Sequence, residues 1–233
     1  QISSVPALAG LVWPNSEPNK PTIALPIAYL AYSDSQREHY LEVMPAAPGK
    51  MLCDIINDYK SAAEKPDIAR SYRQLGLELA NFHNLMVGPG TDSKKLLKDS
   101  IIHGDLKCVN IFYDAAMNHF TLIDNEGMSH FLDRPGPRIA DIAKLLFGHF
   151  VPGEDARVIN TVSGLDLKQW YELAAKNFFL GYVEAFPKDQ QREALTELRD
   201  IINGPIPGYN QAGLNDVRIK YINPIFDELL QKF

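Results

Sequence analysis

The sequence predicts an α+β chain in which a short strand-bearing N-terminal part precedes a mostly helical remainder. Three observations carry this prediction. Runs rich in aliphatic, aromatic and β-branched residues stand near the N-terminus, at 22–32 and 39–44. A second pair of strand-type runs, at 101–113 and 121–124, carries Asp and Asn residues at its ends. Beyond these, apolar residues recur at spacings of three and four over long windows, the mark of amphipathic helices. With 233 residues the chain is long enough to bury a real core, as one large domain or two unequal lobes.

Each element follows from local chemistry. Residues 1–21 are rich in Pro, Ser, Asn and Gly and read as loop; the absence of a leading Met is what a fragment or a processed chain shows. The run 22–32 reads as strand, 33–36 as turn and 39–44 as the returning strand. A Pro-Gly segment at 45–50 opens a helix over 51–59, and a second helix spans 67–85, where Tyr72, Leu75, Leu79 and Phe82 form one apolar stripe. His83, at the end of that helix, reads as a packing or capping residue and not as a ligand. The polar connection 88–99, with Lys94, Lys95 and Lys98, reads as a solvated face. Residues 114–119 make the turn of a hairpin over 111–124, and Pro135-Gly136-Pro137 forbids regular structure before a helix at 138–146. Two further helices follow at 167–186 and 188–202, then a break at 204–208 and a last helix from about Asp216 or Asn223 to the end.

Composition narrows the function classes. The net charge is -6 and the basic residues form no long cluster, so no nucleic-acid surface is advertised. Cys53 and Cys108 are the two cysteines, with neither C-x-x-C nor zinc-ligand spacing, so a disulfide framework or structural zinc site is not indicated and a reducing compartment is the default. No apolar run approaches the roughly 18 residues of a spanning helix, and no basic n-region precedes an apolar core. A soluble cytoplasmic protein is the expectation; export without a signal peptide would leave no mark on the sequence.

The chemistry concentrates in His103-Gly104-Asp105-Leu106-Lys107-Cys108-Val109-Asn110 and in Asp124 at the end of the following run. Three oxygen-bearing side chains there can converge at one mouth. Phosphoryl transfer needs a carboxylate near the attacking hydroxyl, oxygen ligands for a hard cation, and a positive charge beside the transferred group. Asp105 fits the first need, Asn110 and Asp124 the second, and Lys107 the third.

The spacing H-x-D-x-x-x-x-N with a later strand-borne Asp resembles the catalytic loop and metal-binding Asp of the protein-kinase-like superfamily. With Gly104 after the His and Glu126 two residues past Asp124, it looks most like the aminoglycoside phosphotransferase and choline kinase branch. Asp141-Ile142-Ala143 with Leu145-Leu146, and Phe178-Phe179-Leu180-Gly181-Tyr182, are similar to later helices of that branch. The resemblance implies a two-lobed kinase-like fold: a small, partial β lobe at 1–44, a hinge at 45–50, and a helical lobe with the catalytic loop at 51–233. The strands of 22–44 then belong to a sheet separate from the 111–124 hairpin.

It further implies ATP or GTP with Mg2+, the base lying on the backbone of Val43, Met44 and Ala46, and the metal on Asn110 and Asp124. Asp105, Lys107 and His103 form the catalytic set, Asp141 braces the loop, and the acceptor is a hydroxyl of a small molecule, a lipid head group or a protein. The branch and the short chain between Asp124 and Asp141 favour a small molecule or lipid; Lys107 favours an atypical Ser/Thr protein kinase. A Gly-rich loop and a Lys–Glu pair are not found in the N-terminal part, Cys108-Val109 stands where Pro-Gly or Pro-Glu is usual, and Asn125-Glu126-Gly127 departs from the common Asp motifs. These departures fit a third alternative, a nucleotide-binding regulatory module without turnover.

Overall fold

The computed structural model describes residues 11–12, 18–25, 28–33, 38–57, 65–85, 95–125, 127–128, 135–147, 167–206 and 211–233. Its centre is a hairpin closed by its own turn chemistry. The Asp114 carboxylate accepts the N–H groups of Ala116 and Met117 at 2.9 and 3.2 Å, and Asn118 takes a left-handed φ of 49° that an Asn tolerates. This folds β5 (Ile111–Asp114) onto β6 (His119–Leu122), with Ile111 opposite Leu122.

Two short strands complete a mixed sheet in the order β1-β6-β5-β4. β1 (Thr22–Ile23) runs parallel to β6, and β4 (Lys50–Met51) antiparallel to β5. β2 (Ala28–Ser33) and β3 (Glu38–Val43) form an antiparallel ladder of their own, Ala28 opposite Val43. The single strand expected over 22–32 is therefore two strands in two sheets. The N–H of Ile23 goes to the Leu11 carbonyl and that of Ala24 to the Leu122 carbonyl, so this backbone bonds the Leu11 segment and the hairpin and not β3. The separation expected between the 22–44 strands and the hairpin holds for β2 and β3 and fails for β1.

The helices supply most of the core. α1 (Leu52–Asn57) follows β4 directly, and α2 (Lys65–Leu85) buries Tyr72, Leu75, Leu79 and Phe82 as its stripe predicts. α3 (Ile139–Phe147) is buried along nearly its whole length. α4 (Leu167–Glu184) packs closely on α2, because Gly76 and Gly181 let the two backbones meet. A Cβ on Gly76 would stand 2.2 Å from the Phe178 carbonyl oxygen, and one on Gly181 would stand 1.8 Å from that of Arg73. α5 (Gln191–Asn203) seals the far side with Ala194, Leu195, Leu198 and Ile202. The final helix is broken into three: α6 (Gln211–Val217), a π-type turn (Arg218–Ile222) and α7 (Asn223–Leu230).

A buried acid fastens the hairpin to this scaffold. Glu78 of α2 accepts the Phe120 N–H at 3.1 Å and lies 3.2 Å from His119 Nδ1, whose Nε2 hydrogen-bonds the Thr22 hydroxyl at 2.7 Å. One carboxylate thus holds β6, and through His119 also β1. The expected turn at 33–36 beyond Ser33, the end of the 51–59 helix beyond Asn57, Lys94, Glu126 and Gly208 lie outside the described residues. No described helix is long and apolar enough to cross a membrane.

Candidate functional site

The segment before Asp105 is not the strand its apolar run predicts. Ile101, Ile102 and His103 are buried and outside any strand, without a ladder partner among the described residues, while Ser100 bridges to Gly136. The reason lies in one side chain. Asp141, in the first turn of α3 and fully buried, accepts the backbone N–H of His103 at 2.8 Å and of Gly104 at 2.9 Å, satisfying groups a neighbouring strand would otherwise take. Gly104 at φ 84° then turns the chain toward Asp105.

His103 holds the loop from behind. Its Nε2 lies 2.9 Å from the Ile123 carbonyl, which can only accept, so Nε2 carries the proton and Nδ1 accepts the Asp105 N–H at 3.3 Å. With its ring buried and both nitrogens engaged, His103 has the place of a support, not of a group facing a reactant. Gly127 fits against the same turn: a Cβ there would stand 2.8 Å from the His103 carbonyl oxygen.

Asp105 sits between two ammonium groups. Lys107 Nζ is 3.2 Å from Oδ2, and Lys144 Nζ donates to Oδ1 in a short contact. Partial burial acts to raise the carboxyl's pKa, and the hydrogen bonds and charges of Lys144 and Lys107 outweigh it, holding Asp105 below the usual carboxylate range.

Asn110 bridges to the second acid. Its Nδ2 donates to the Asp105 carbonyl at 2.9 Å and faces Asp105 Oδ2 at 3.5 Å and Asp124 Oδ2 at 3.3 Å. The register makes this possible: the Ile123 N–H bonds the Asn110 carbonyl at 3.0 Å, which sets Asp124 beside the turn Cys108–Asn110. Asp124 is exposed and holds a left-handed φ of 57°, uncommon for a residue other than Gly but adopted by Asp, like Asn, more readily than by most. The following Asn125 secures it, donating to the Ala24 carbonyl at 2.8 Å. The Asn110 side-chain amide thus stands between the two carboxylates, with its Nδ2 turned to both.

Asp105, Lys107, His103, Asn110 and Asp124 are thus brought together. Val43 ends β3, and Met44 and Ala46 follow it outside any strand, the first two half-buried and Ala46 exposed. A few residues on, Lys50 and Met51 pair with Tyr113 and Phe112, so this segment leads from the β2–β3 ladder straight onto the hairpin that follows Asn110.

Sequence reasoning missed Lys144 and the chain of polar groups behind Asp141. The signal for Lys144 is its spacing: three residues after Asp141, it shares that helix face. Behind Asp141, His83 Nε2 donates to its Oδ2 at 3.2 Å, and His83 Nδ1 accepts from the Tyr182 hydroxyl at 2.9 Å. Burial pushes the His83 pKa down despite Asp141, so the ring is neutral. Burial works against the Asp141 charge too, but the N–H of His83 and those of the loop overturn that and keep its pKa below the ordinary value. Arg138 closes the chain, donating to the Lys98 carbonyl at 2.6 Å and Asn84 Oδ1 at 2.8 Å, with Nη1 3.5 Å from the Tyr182 oxygen. No protein-family model, no curated protein and no solved structure matches the chain.

Proposed function

We propose that this chain is a kinase-like phosphotransferase that moves the γ-phosphoryl group of ATP or GTP to an alcohol hydroxyl of a small molecule or lipid head group. The observation that supports this reading is the Asn110 amide held between Asp105 and Asp124, with Asp105 itself clamped by two lysines.

The donor set fits magnesium. Asn110 Oδ1 and the Asp124 carboxylate are hard oxygen ligands, and Mg2+ characteristically takes one or two carboxylates and completes its octahedron with water and phosphate. No cluster of three or more His, Cys, Asp or Glu side chains occurs among the described residues. Held there, Mg2+ would neutralise charge on the phosphoryl group that the nucleotide brings.

The chain's own residues do the rest. Asp105, ionised and oriented by Lys107 and Lys144, accepts a hydrogen bond from the acceptor hydroxyl and aims its oxygen at the phosphorus. Its lowered pKa makes it a weak base, so its main work is alignment, with the proton arriving late. Lys107 offsets charge on the transferred group. Asp141 and His103 fix the loop, and the backbone of Val43, Met44 and Ala46 offers hydrogen bonds to the nucleotide base. The contact of Lys107 with Asp105 also favours a second reading, transfer to a protein serine or threonine.

Transfer of radiolabel from γ-labelled ATP to a panel of hydroxyl metabolites, lipids and proteins tests the reading. Asp105→Asn is expected to retain nucleotide affinity within a few-fold and to lose turnover by roughly 10²-fold or more. Nucleotide binding without transfer to any acceptor would leave a regulatory module; absence of both would overturn the proposal.

A further inference from the structure

The site holds more positive charge at Asp105 than that carboxylate needs. Lys107, two residues away on the same loop, reaches Oδ2 at 3.2 Å, and one ammonium balances one carboxylate. Lys144 nevertheless donates to Oδ1 from a different element, α3. That helix is otherwise given over to the core: of its nine residues, all but Ala140 and Lys144 are buried. These two stand four positions apart on one helix face, so the strip of α3 left open carries a methyl group and an ammonium. Holding a long lysine side chain in one place costs rotamer entropy, and neutralising an acid that Lys107 already serves does not account for it. Asp124, the other acid here, lies across the Asn110 amide and is assigned to magnesium, so it does not cancel the surplus at Asp105.

Resting on the phosphotransferase reading, we propose that the acceptor is an anionic alcohol, a polyol carrying a phosphate ester, whose phosphate is bound by Lys144 while its hydroxyl lies on Asp105. An ammonium has three N–H donors, and among the described residues Asp105 is the one hydrogen-bond partner of Lys144. A carboxylate oxygen has two acceptor sites, so Oδ1 can keep Lys144 and take the hydroxyl as well. Hydroxyl and phosphate are then linked through this ion pair and lie about 4–6 Å apart, as on neighbouring or next-neighbouring carbons of a polyol. Lysine meets phosphate as a point charge, whereas planar carboxylates favour the fork of arginine. A cationic alcohol would set its charge against Lys144. In the transfer, the acceptor oxygen bonds the γ-phosphorus as the bond to the bridging oxygen breaks; the nucleoside diphosphate leaves, and the hydroxyl proton passes to Asp105 and then to solvent.

Rates of label transfer from γ-labelled ATP to matched alcohols test this. The pairs are glycerol and glycerol phosphate, inositol and inositol monophosphate, and phosphatidylcholine vesicles without and with phosphatidylglycerol; choline is the cationic member. In each pair the phosphate-bearing alcohol is expected to be preferred by roughly tenfold or more in kcat/KM, chiefly through KM, the factor a charged hydrogen bond contributes. Label in the soluble esters alone means a free metabolite and label in the vesicles alone a lipid head group; either upholds the phosphate subsite. In Lys144→Gln the ratio within each pair is expected to fall toward one, whatever the absolute rate does, and Lys144→Arg is expected to keep most of it. Neutral or cationic alcohols used as well as the phosphate-bearing ones, label in serine peptides alone, or a ratio untouched by Lys144→Gln would each overturn the inference while leaving phosphoryl transfer in place. No label in any acceptor overturns it too, and a missing nucleotide-dependent rise in Tm in the same samples removes the reading beneath it as well. The wild-type pairs decide even if a variant fails to fold.

Discussion

At Asp105 two forces oppose each other, because burial discourages its charge while two lysines enforce it. Lys144 is the testable half of that balance, since its removal leaves Lys107 and the loop in place. In Lys144→Met the Asp105 pKa is expected to rise, so the acidic limb of kcat/KM moves to higher pH; an unmoved limb would separate Lys144 from the function of Asp105. Asp141 behaves differently because it is fully buried and accepts three N–H groups. Its folded pKa lies below its unfolded one, so its contribution is present above the unfolded value and is lost as pH falls through the folded value. Asp141→Ala strands buried donors and is expected to cost on the order of 3 kcal/mol or more at neutral pH. Denaturant midpoints measured across the acid range should fall less steeply in that variant than in the wild type.

At the scale of elements, the sequence was legible where burial is periodic and misleading where backbone groups are satisfied from outside. The α2 stripe and the 111–124 hairpin follow from spacing and turn residues, whereas α3 is legible through the resemblance of Asp141-Ile142-Ala143 with Leu145-Leu146 to a helix of the kinase-like branch. Residues 101–103 have strand composition, yet the N–H groups of His103 and Gly104 go to Asp141, a partner 38 and 37 positions away that no local pattern announces. The run 22–32 divides for the same reason, because Leu11 and Leu122 claim the N–H groups of Ile23 and Ala24. Gly181 was legible only as part of a familiar phrase; its physical cause is the backbone of Arg73 on the crossing helix. Gly181→Ala gains helix propensity but must push α2 and α4 apart, and a net loss of about 1–3 kcal/mol is expected. Equal or higher thermal stability in that variant would mean the helices can separate there at no cost.

Across the whole molecule, the candidate site is assembled from distant parts of the chain. The loop at 103–110, the end of β6, α3, and through Asp141 the ends of α2 and α4 all converge on Asp105. Asp124 occupies the joint of this assembly: Asn125 after it holds the β1 segment through Ala24, while its carboxylate faces Asn110. A ligand bridging Asn110 and Asp124 therefore stabilises the fold as well as occupying the site. With magnesium in excess and ATP at a hundred times its Kd, linkage gives about 2.7 kcal/mol of added stability, a rise of several degrees in Tm. Without magnesium most of that rise should vanish. Asp124→Gly removes the charged ligand and, at an exposed position whose left-handed backbone glycine adopts freely, should leave the unliganded fold near wild-type stability. The expected result is a variant with a normal Tm alone and no magnesium-dependent rise with ATP; an undiminished rise would place the nucleotide, if it binds at all, away from Asn110 and Asp124.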